Sequence, residues 1–144
     1  MKNNKGFSLV ELIIVIAIMA ILAGALAPAL IKYINKSRKS TDISNGDLIA
    51  KAVTTALAEE AGFNAVADGK ATYTSSALCN GTDAFTDETA STLGTKNMKV
   101  KYGAGKGGDF FVEVDKVNNK CVVYANTSAK ADDQVYPEQG KNYK

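Results

Sequence analysis

The sequence predicts an α+β protein, in which a long N-terminal helix, apolar in its first half and amphipathic in its second, packs on a small antiparallel β-sheet head. Between Lys5 and Lys32 the only charged residue is Glu11, and Phe7 to Ala27 is almost wholly apolar. From Met98 onward, apolar and polar residues alternate with the period of a half-buried strand. Between these two regions, Leu48, Ile49, Ala52, Val53, Ala56 and Leu57 fall on one helical face and offer the sheet a cover.

The apolar segment is long enough to cross a membrane, since a helix rising ~1.5 Å per residue spans a hydrocarbon core of ~30 Å in some twenty residues. Three ordinary readings compete for it: a cleaved secretory signal, a plain anchor and a buried core helix. Ala25-Leu26-Ala27 is a small-residue cleavage pattern, but Pro28 would follow the cut. A plain anchor leaves Glu11 without a purpose, although a carboxylate inside a spanning helix costs about 2–3 kcal/mol and usually marks function. Snorkelling toward the near end is the structural alternative. Pro28 lacks an N–H and clashes with the carbonyl of Gly24, so Gly24–Pro28 is the weakest stretch of this helix.

Beyond Pro28 the helix is expected to continue through Lys32 to Thr41. Ser44-Asn45-Gly46-Asp47 reads as a weak point, with Asp47 able to cap a fresh start. Lys51, Thr54, Thr55 and Glu59 take the face opposite the apolar stripe, and Gly62 is the expected stop. In the sheet, Met98, Val100 and Tyr102 are expected to pair with Phe110, Val112 and Val114 across a Gly103–Gly108 loop. That register sets Val100 opposite Val112 and Lys99 opposite Glu113. A second hairpin through Lys116–Asn119 places Asp115 opposite Lys120, Val112 opposite Val123 and Phe111 opposite Tyr124. Phe63 to Lys96, between helix and sheet, is rich in Ala, Thr, Ser, Gly and Asp and too long for a loop structureless without purpose, and the polar stretch after Ala129 is expected as a loop over the sheet or a free end.

Composition restricts the chemistry. The chain of 144 residues has no histidine and a formal net charge of +2, which by itself implies no nucleic-acid partner. With no histidine to activate serine or threonine, no catalytic residue, metal or cofactor is expected. Asp132, Asp133 and Glu138 are read as a solvated tail rather than a calcium site. Gly103–Gly108 opens no helix and lacks the ending of a phosphate loop. Lys96, Lys99, Lys101 and Lys106 have carboxylates opposite some of them, and Asn80-Gly81-Thr82 and Asn126-Thr127-Ser128 match glycosylation acceptors as short patterns often do. Cys79 and Cys121 form no CxxC motif; one structural disulfide in an oxidising compartment fits them, two independent thiols being the alternative.

Gly6-Phe7-Ser8-Leu9-Val10-Glu11, after a short basic leader and ahead of the apolar run, resembles the processing site of type IV prepilins. The resemblance is specific over residues 1 to about 34 and general in plan beyond. It implies a leader of residues 1–6 removed by a prepilin peptidase between Gly6 and Phe7, with N-methylation of Phe7. It further implies a transmembrane and assembly helix at 7–31, an amphipathic half at 32–61 and a globular head at 62–144. Assembly would rest on Glu11, facing the Phe7 amine of a neighbouring copy, and on Gly24–Pro28, an interval often locally unwound in such filaments. A buried pair of that kind acts as a register device.

The implied protein is a structural subunit of a type IV pilus, or alternatively a pseudopilin of a type II secretion or DNA-uptake machine. Its implied partners are further copies in a helical filament, the membrane, prepilin peptidase and the pilus assembly machinery. It would begin as a single-pass precursor in the cytoplasmic (inner) membrane and end in an extracellular pilus. A secreted binding domain behind a removable signal is the reading from another class. Lys32, Lys36, Arg38 and Lys39 outnumber Lys2 and Lys5, so charge counting alone would orient the segment the other way; the family places its N-terminus in the cytoplasm.

Overall fold

The computed structural model describes residues 6–94 and 98–144. The chain divides into two compact units, at Lys36/Ser37. In the first, all side chains from Gly6 to Ile34 are exposed. They lie on helix α1, Leu9–Ala58, or just before it, and the helix runs unbroken through Pro28. This is the one helix among the described residues that is long and apolar enough to cross a membrane.

In the second unit, α1 gains a buried face made of Asp42, Gly46, Ile49, Ala50, Ala52, Val53, Ala56 and Leu57. Leu48 was expected in this stripe but stays exposed, because residue 49 takes the face centred on the core. Nor do residues 44–47 break the helix. A Cβ at Gly46 would stand 2.5 Å from Val135 Cγ2, so the glycine serves a close approach between helix and sheet. The helix ends at Ala58, and a short helix α2, Glu60–Ala65, follows. Gly62 therefore lies within α2 instead of stopping α1, and a side chain there would collide with the Ala56 carbonyl oxygen.

The sheet is an antiparallel meander of four strands: β1 Lys70–Thr74, β2 Phe111–Asp115, β3 Lys120–Tyr124 and β4 Gln134–Tyr136. The second hairpin has the expected register, with Asp115 opposite Lys120, Val112 opposite Val123 and Phe111 opposite Tyr124. The first does not. The position beside β2 belongs to β1, which sets Tyr73 opposite Val112 and Thr72 opposite Glu113. Residues 98–102 instead fold tightly onto 107–109: Gly107 N–H donates to Val100 O at 2.8 Å, Val100 N–H to Gly108 O at 3.0 Å, and Lys99 bridges to Asp109.

Asp42 accounts for this difference. Fully buried on α1, its carboxylate accepts the Lys101 N–H at 2.7 Å and the Tyr102 N–H at 2.8 Å, donors that an inserted strand would have spent on the ladder. The Tyr143 hydroxyl donates to the same carboxylate at 3.1 Å, and its ring meets Tyr102 edge-on at 5.8 Å. The stretch after Ala129 is thus neither free nor featureless: it supplies edge strand β4 and the buried Tyr143.

The expected loop between helix and sheet is also structured. Besides β1 it holds α3, Ser75–Leu78, and α4, Ala84–Leu93. The Asp83 carboxylate accepts the Thr86 N–H at 2.8 Å while Thr86 Oγ1 accepts the Asp83 N–H at 3.0 Å, a reciprocal cap that starts α4. Gly94, in the left-handed region at φ 67°, ends it. Phe85 and Leu93 carry this helix into the core shared by Ile49, Val53, Phe110, Val112, Val114 and Val123.

Candidate processing and assembly site

Gly6, Phe7 and Ser8 precede the helix and are exposed, Phe7 at 84%. Residues 1–5 of the expected leader lie outside the described residues. The chain turns into α1 through two side-chain caps, from Ser8 and from Glu11. Ser8 is the N-cap, and its Oγ accepts the Val10 N–H at 3.3 Å. Glu11, in the third helical position, reaches back so that its Oε2 accepts the Ser8 N–H at 2.9 Å. A carboxylate in the first turn also lies at the favourable end of the helix dipole. Glu11 therefore has a local task in the single chain. Ser8 was missed as a functional residue although its signal, Ser-x-x-Glu before an apolar run, was present in the sequence.

The other residues expected to serve assembly, Gly24 and Pro28, sit farther along α1. Gly24 has no heavy atom near the position of a Cβ, and Pro28 lies within the helix. Around them Ile13, Ile14, Ile16, Ile18, Ile21, Leu22 and Leu26 are all more than half exposed, a continuous apolar surface. Exposure on this scale has no counterpart in the head, where the apolar residues converge on one core.

The expected disulfide is not formed. Cys121 is buried on the inner face of β3, opposite Val114, while Cys79 caps the end of α3 and is half-buried, and no bond joins them. The pairing had rested on cysteine number and compartment, which carry no geometry. Burial pushes the Cys121 thiol up to about 12, and burial followed by the Asp109 carboxylate raises Cys79.

The other motifs resolve structurally. Asp133 is buried and accepts from Asn126 Nδ2 at 2.7 Å and Asn142 Nδ2 at 2.8 Å. Among the described residues no group of acidic or thiol side chains is arranged to hold a metal. Gly105 packs on the backbone of Ala125 and Asn126, which closes the glycine-rich loop onto the head. Lys99 is paired with Asp109 at 2.9 Å, and Lys96 lies outside the described residues.

Neither a curated protein nor a solved structure matches this chain. Residues 1–27 match the family model described as the prokaryotic N-terminal methylation motif. The match begins at Met1, crosses the Gly6–Phe7 step and the Ser8–Glu11 helix start, and continues into the exposed apolar helix. The chain therefore carries the type IV pilin and pseudopilin signature.

Proposed function

We propose that this chain is a structural subunit of a type IV pilus-like filament, cut between Gly6 and Phe7, methylated on the new Phe7 amine and polymerised through residues 7–31. The observation that carries this reading is an exposed apolar stretch of helix, from Leu9 to Ile31, whose only charge, Glu11, lies four residues beyond Phe7 of a Gly-Phe step. Such a surface needs lipid before assembly and other copies of itself afterwards. Gly6 suits the cut, because a residue with no side chain lets extended backbone enter a protease cleft. The cut turns the Phe7 amide nitrogen into an ammonium. Among packed apolar helices that charge is costly alone, and a neighbouring copy's Glu11 offsets much of the cost.

In the precursor the Glu11 carboxylate is held by the Ser8 N–H at 2.9 Å, a bond that leaves one carboxylate oxygen for a second donor. One residue thus caps its own helix and meets a neighbour's amine. Intact-mass measurement of membrane-derived protein should give a chain beginning at methylated Phe7. Imaging of sheared surface fibres with and without the gene should show fibres only with it. A chain beginning at Pro28 would identify a cleaved signal instead. Correct processing without surface fibres would favour a pseudopilin.

A further inference from the structure

We propose that Asn80 is a site of spontaneous covalent modification, in which its side-chain amide is lost through a succinimide while the protein remains folded. The sequence contains two Asn-Gly steps, Asn45-Gly46 and Asn80-Gly81, and the fold treats them oppositely. The reaction needs the backbone nitrogen of the following residue to reach the asparagine Cγ. Glycine permits it best, having no side chain in the way and the widest backbone freedom.

At Asn45 that approach is blocked. Gly46 lies in the interior of α1, where its N–H belongs to the helical ladder. Its backbone is pressed against Val135, and Asn45 itself is half-buried. Reaction there requires the helix to open where it packs on the sheet. At Asn80 no helical ladder and no packing on the sheet intervene. Asn80 is exposed, in the connection between α3 and α4. Gly81 follows at φ 58° outside any helix or strand, and no hydrogen bond holds its N–H among the described residues. The Asp87 carboxylate stands against the Gly81 backbone, where a side chain would collide with it. That places a proton acceptor beside the attacking residue.

The Gly81 nitrogen attacks Asn80 Cγ, forming an N–Cγ bond; the Cγ–Nδ2 bond breaks, and Nδ2 leaves as ammonia with the proton from Gly81. Water then opens the five-membered ring at either carbonyl, giving aspartate or isoaspartate. No electron transfer and no reagent beyond water are involved. Each event adds one negative charge, taking the formal charge of the full chain from +2 to +1. It also destroys the Asn80-Gly81-Thr82 glycosylation pattern.

The test compares two sites in one molecule. Purified full-length protein in detergent is held at neutral pH and sampled over time. Peptide mass spectrometry then follows conversion of amide to acid, and isoaspartate content, at Asn80 and Asn45. In folded protein Asn80 should convert at least about tenfold faster than Asn45, a ratio equal to ~1.4 kcal/mol in barrier. In denaturant the two rates should converge to within about twofold, because the protection is structural. Asn80→Gln should remove the early acidic species seen by isoelectric focusing. Equal rates at the two sites in folded protein would overturn the proposal, as would an intact Asn80 after the denatured chain has converted.

Discussion

Of the three carboxylates on helix α1, Glu11 and Asp42 stand in opposite circumstances. Glu11 lies in an exposed apolar segment and, among the described residues, makes one side-chain bond, to a backbone N–H three residues away. Asp42 is fully buried and makes three bonds, to groups 59, 60 and 101 residues distant in sequence. The first carboxylate organises a helix end and leaves capacity for something outside the chain. The second ties the loop at 101–102 and the Tyr143 ring to the helix. In the head, polar satisfaction is complete: no buried side-chain nitrogen or oxygen among the described residues lacks a partner. The unfinished business lies at the N-terminal end.

Breaking Glu11 should have the largest effect. Glu11→Ala removes both the cap and the charge, and is expected to abolish fibres while leaving membrane insertion and the head intact. An unpaired buried charge in the assembled state costs about 3–5 kcal/mol per site. Glu11→Gln sharpens the comparison, since glutamine keeps an acceptor for the Ser8 N–H and loses only the charge. Fibre yield after shearing, set beside a blot for processed subunit, reads both variants. Normal fibres from Glu11→Gln would assign the role of this residue to the cap instead of the pair.

Asp42→Ala should leave processing untouched and unfold the head. It strands the part-buried Lys101 and Tyr102 N–H groups, each costing up to about 1–3 kcal/mol where water does not replace the carboxylate. Thermal melting of the detergent-solubilised chain should show a large downward shift, with Asp42→Asn intermediate. If melting were unchanged, the Asp42 bonds would be ornamental and the displacement of residues 98–102 from the sheet would need another cause.

How much of this was legible follows from the range of the interactions. The β2–β3 register was readable because Val112/Val123, Asp115/Lys120 and Phe111/Tyr124 agree through one short turn, and a one-residue slip would have spoiled all three. The N-terminal site was readable because its parts lie within six residues, although the Ser8 cap went unnoticed. β1 and α4 were not readable. Their burial is carried by Ala71, Tyr73, Phe85, Thr86, Thr89 and Ala90, a mixture too polar to show a clear period. Asp42 was hidden more deeply. An acid at the polar turn of a helix looks solvated until its partners, about a hundred residues away in one case, are folded onto it.

A smaller effect distinguishes Asp42 from a second structural carboxylate by pH. Burial raises the Asp42 carboxyl, and the Lys101 and Tyr102 N–H groups, the Tyr143 hydroxyl and the Lys101 charge oppose that without cancelling it. A raised folded pKa contributes stability that is present below the unfolded value and lost as pH rises through the folded one. Asp109 behaves the other way. Burial raises it, but hydrogen bonds from Ser76, Lys99 and Ser75 and the Lys99 charge more than offset this and hold it below the ordinary carboxylate range. Its contribution is present above the unfolded value of about 3.9 and lost as pH falls through the folded one. Asp109→Asn should therefore flatten the acid limb of the stability profile, and Asp42→Asn should reduce the loss on going from acid toward neutral pH. Profiles that respond in the same direction would contradict the assignment.

Tyr143→Phe should give the smallest effect and the most specific one. The Tyr143 hydroxyl donates to Asp42 Oδ2 at 3.1 Å and also lies 3.1 Å from the Tyr102 carbonyl oxygen, while the ring is 4% exposed and meets Tyr102 edge-on. Phenylalanine preserves ring, burial and edge contact, so only the hydroxyl is lost. Two of the three donors on Asp42 remain, and the expected cost is about 1.5–3 kcal/mol, the range of one hydrogen bond to a charged acceptor. Tyr143→Ala removes the ring as well and should cost more, about 3–5 kcal/mol by analogy with other buried aromatic truncations. In the background of Asp42→Ala the Tyr143→Phe change should cost markedly less, because its strongest acceptor is already gone, and the double-mutant cycle measures that coupling directly. Strict additivity in melting experiments would mean that the hydroxyl acts through the Tyr102 carbonyl alone.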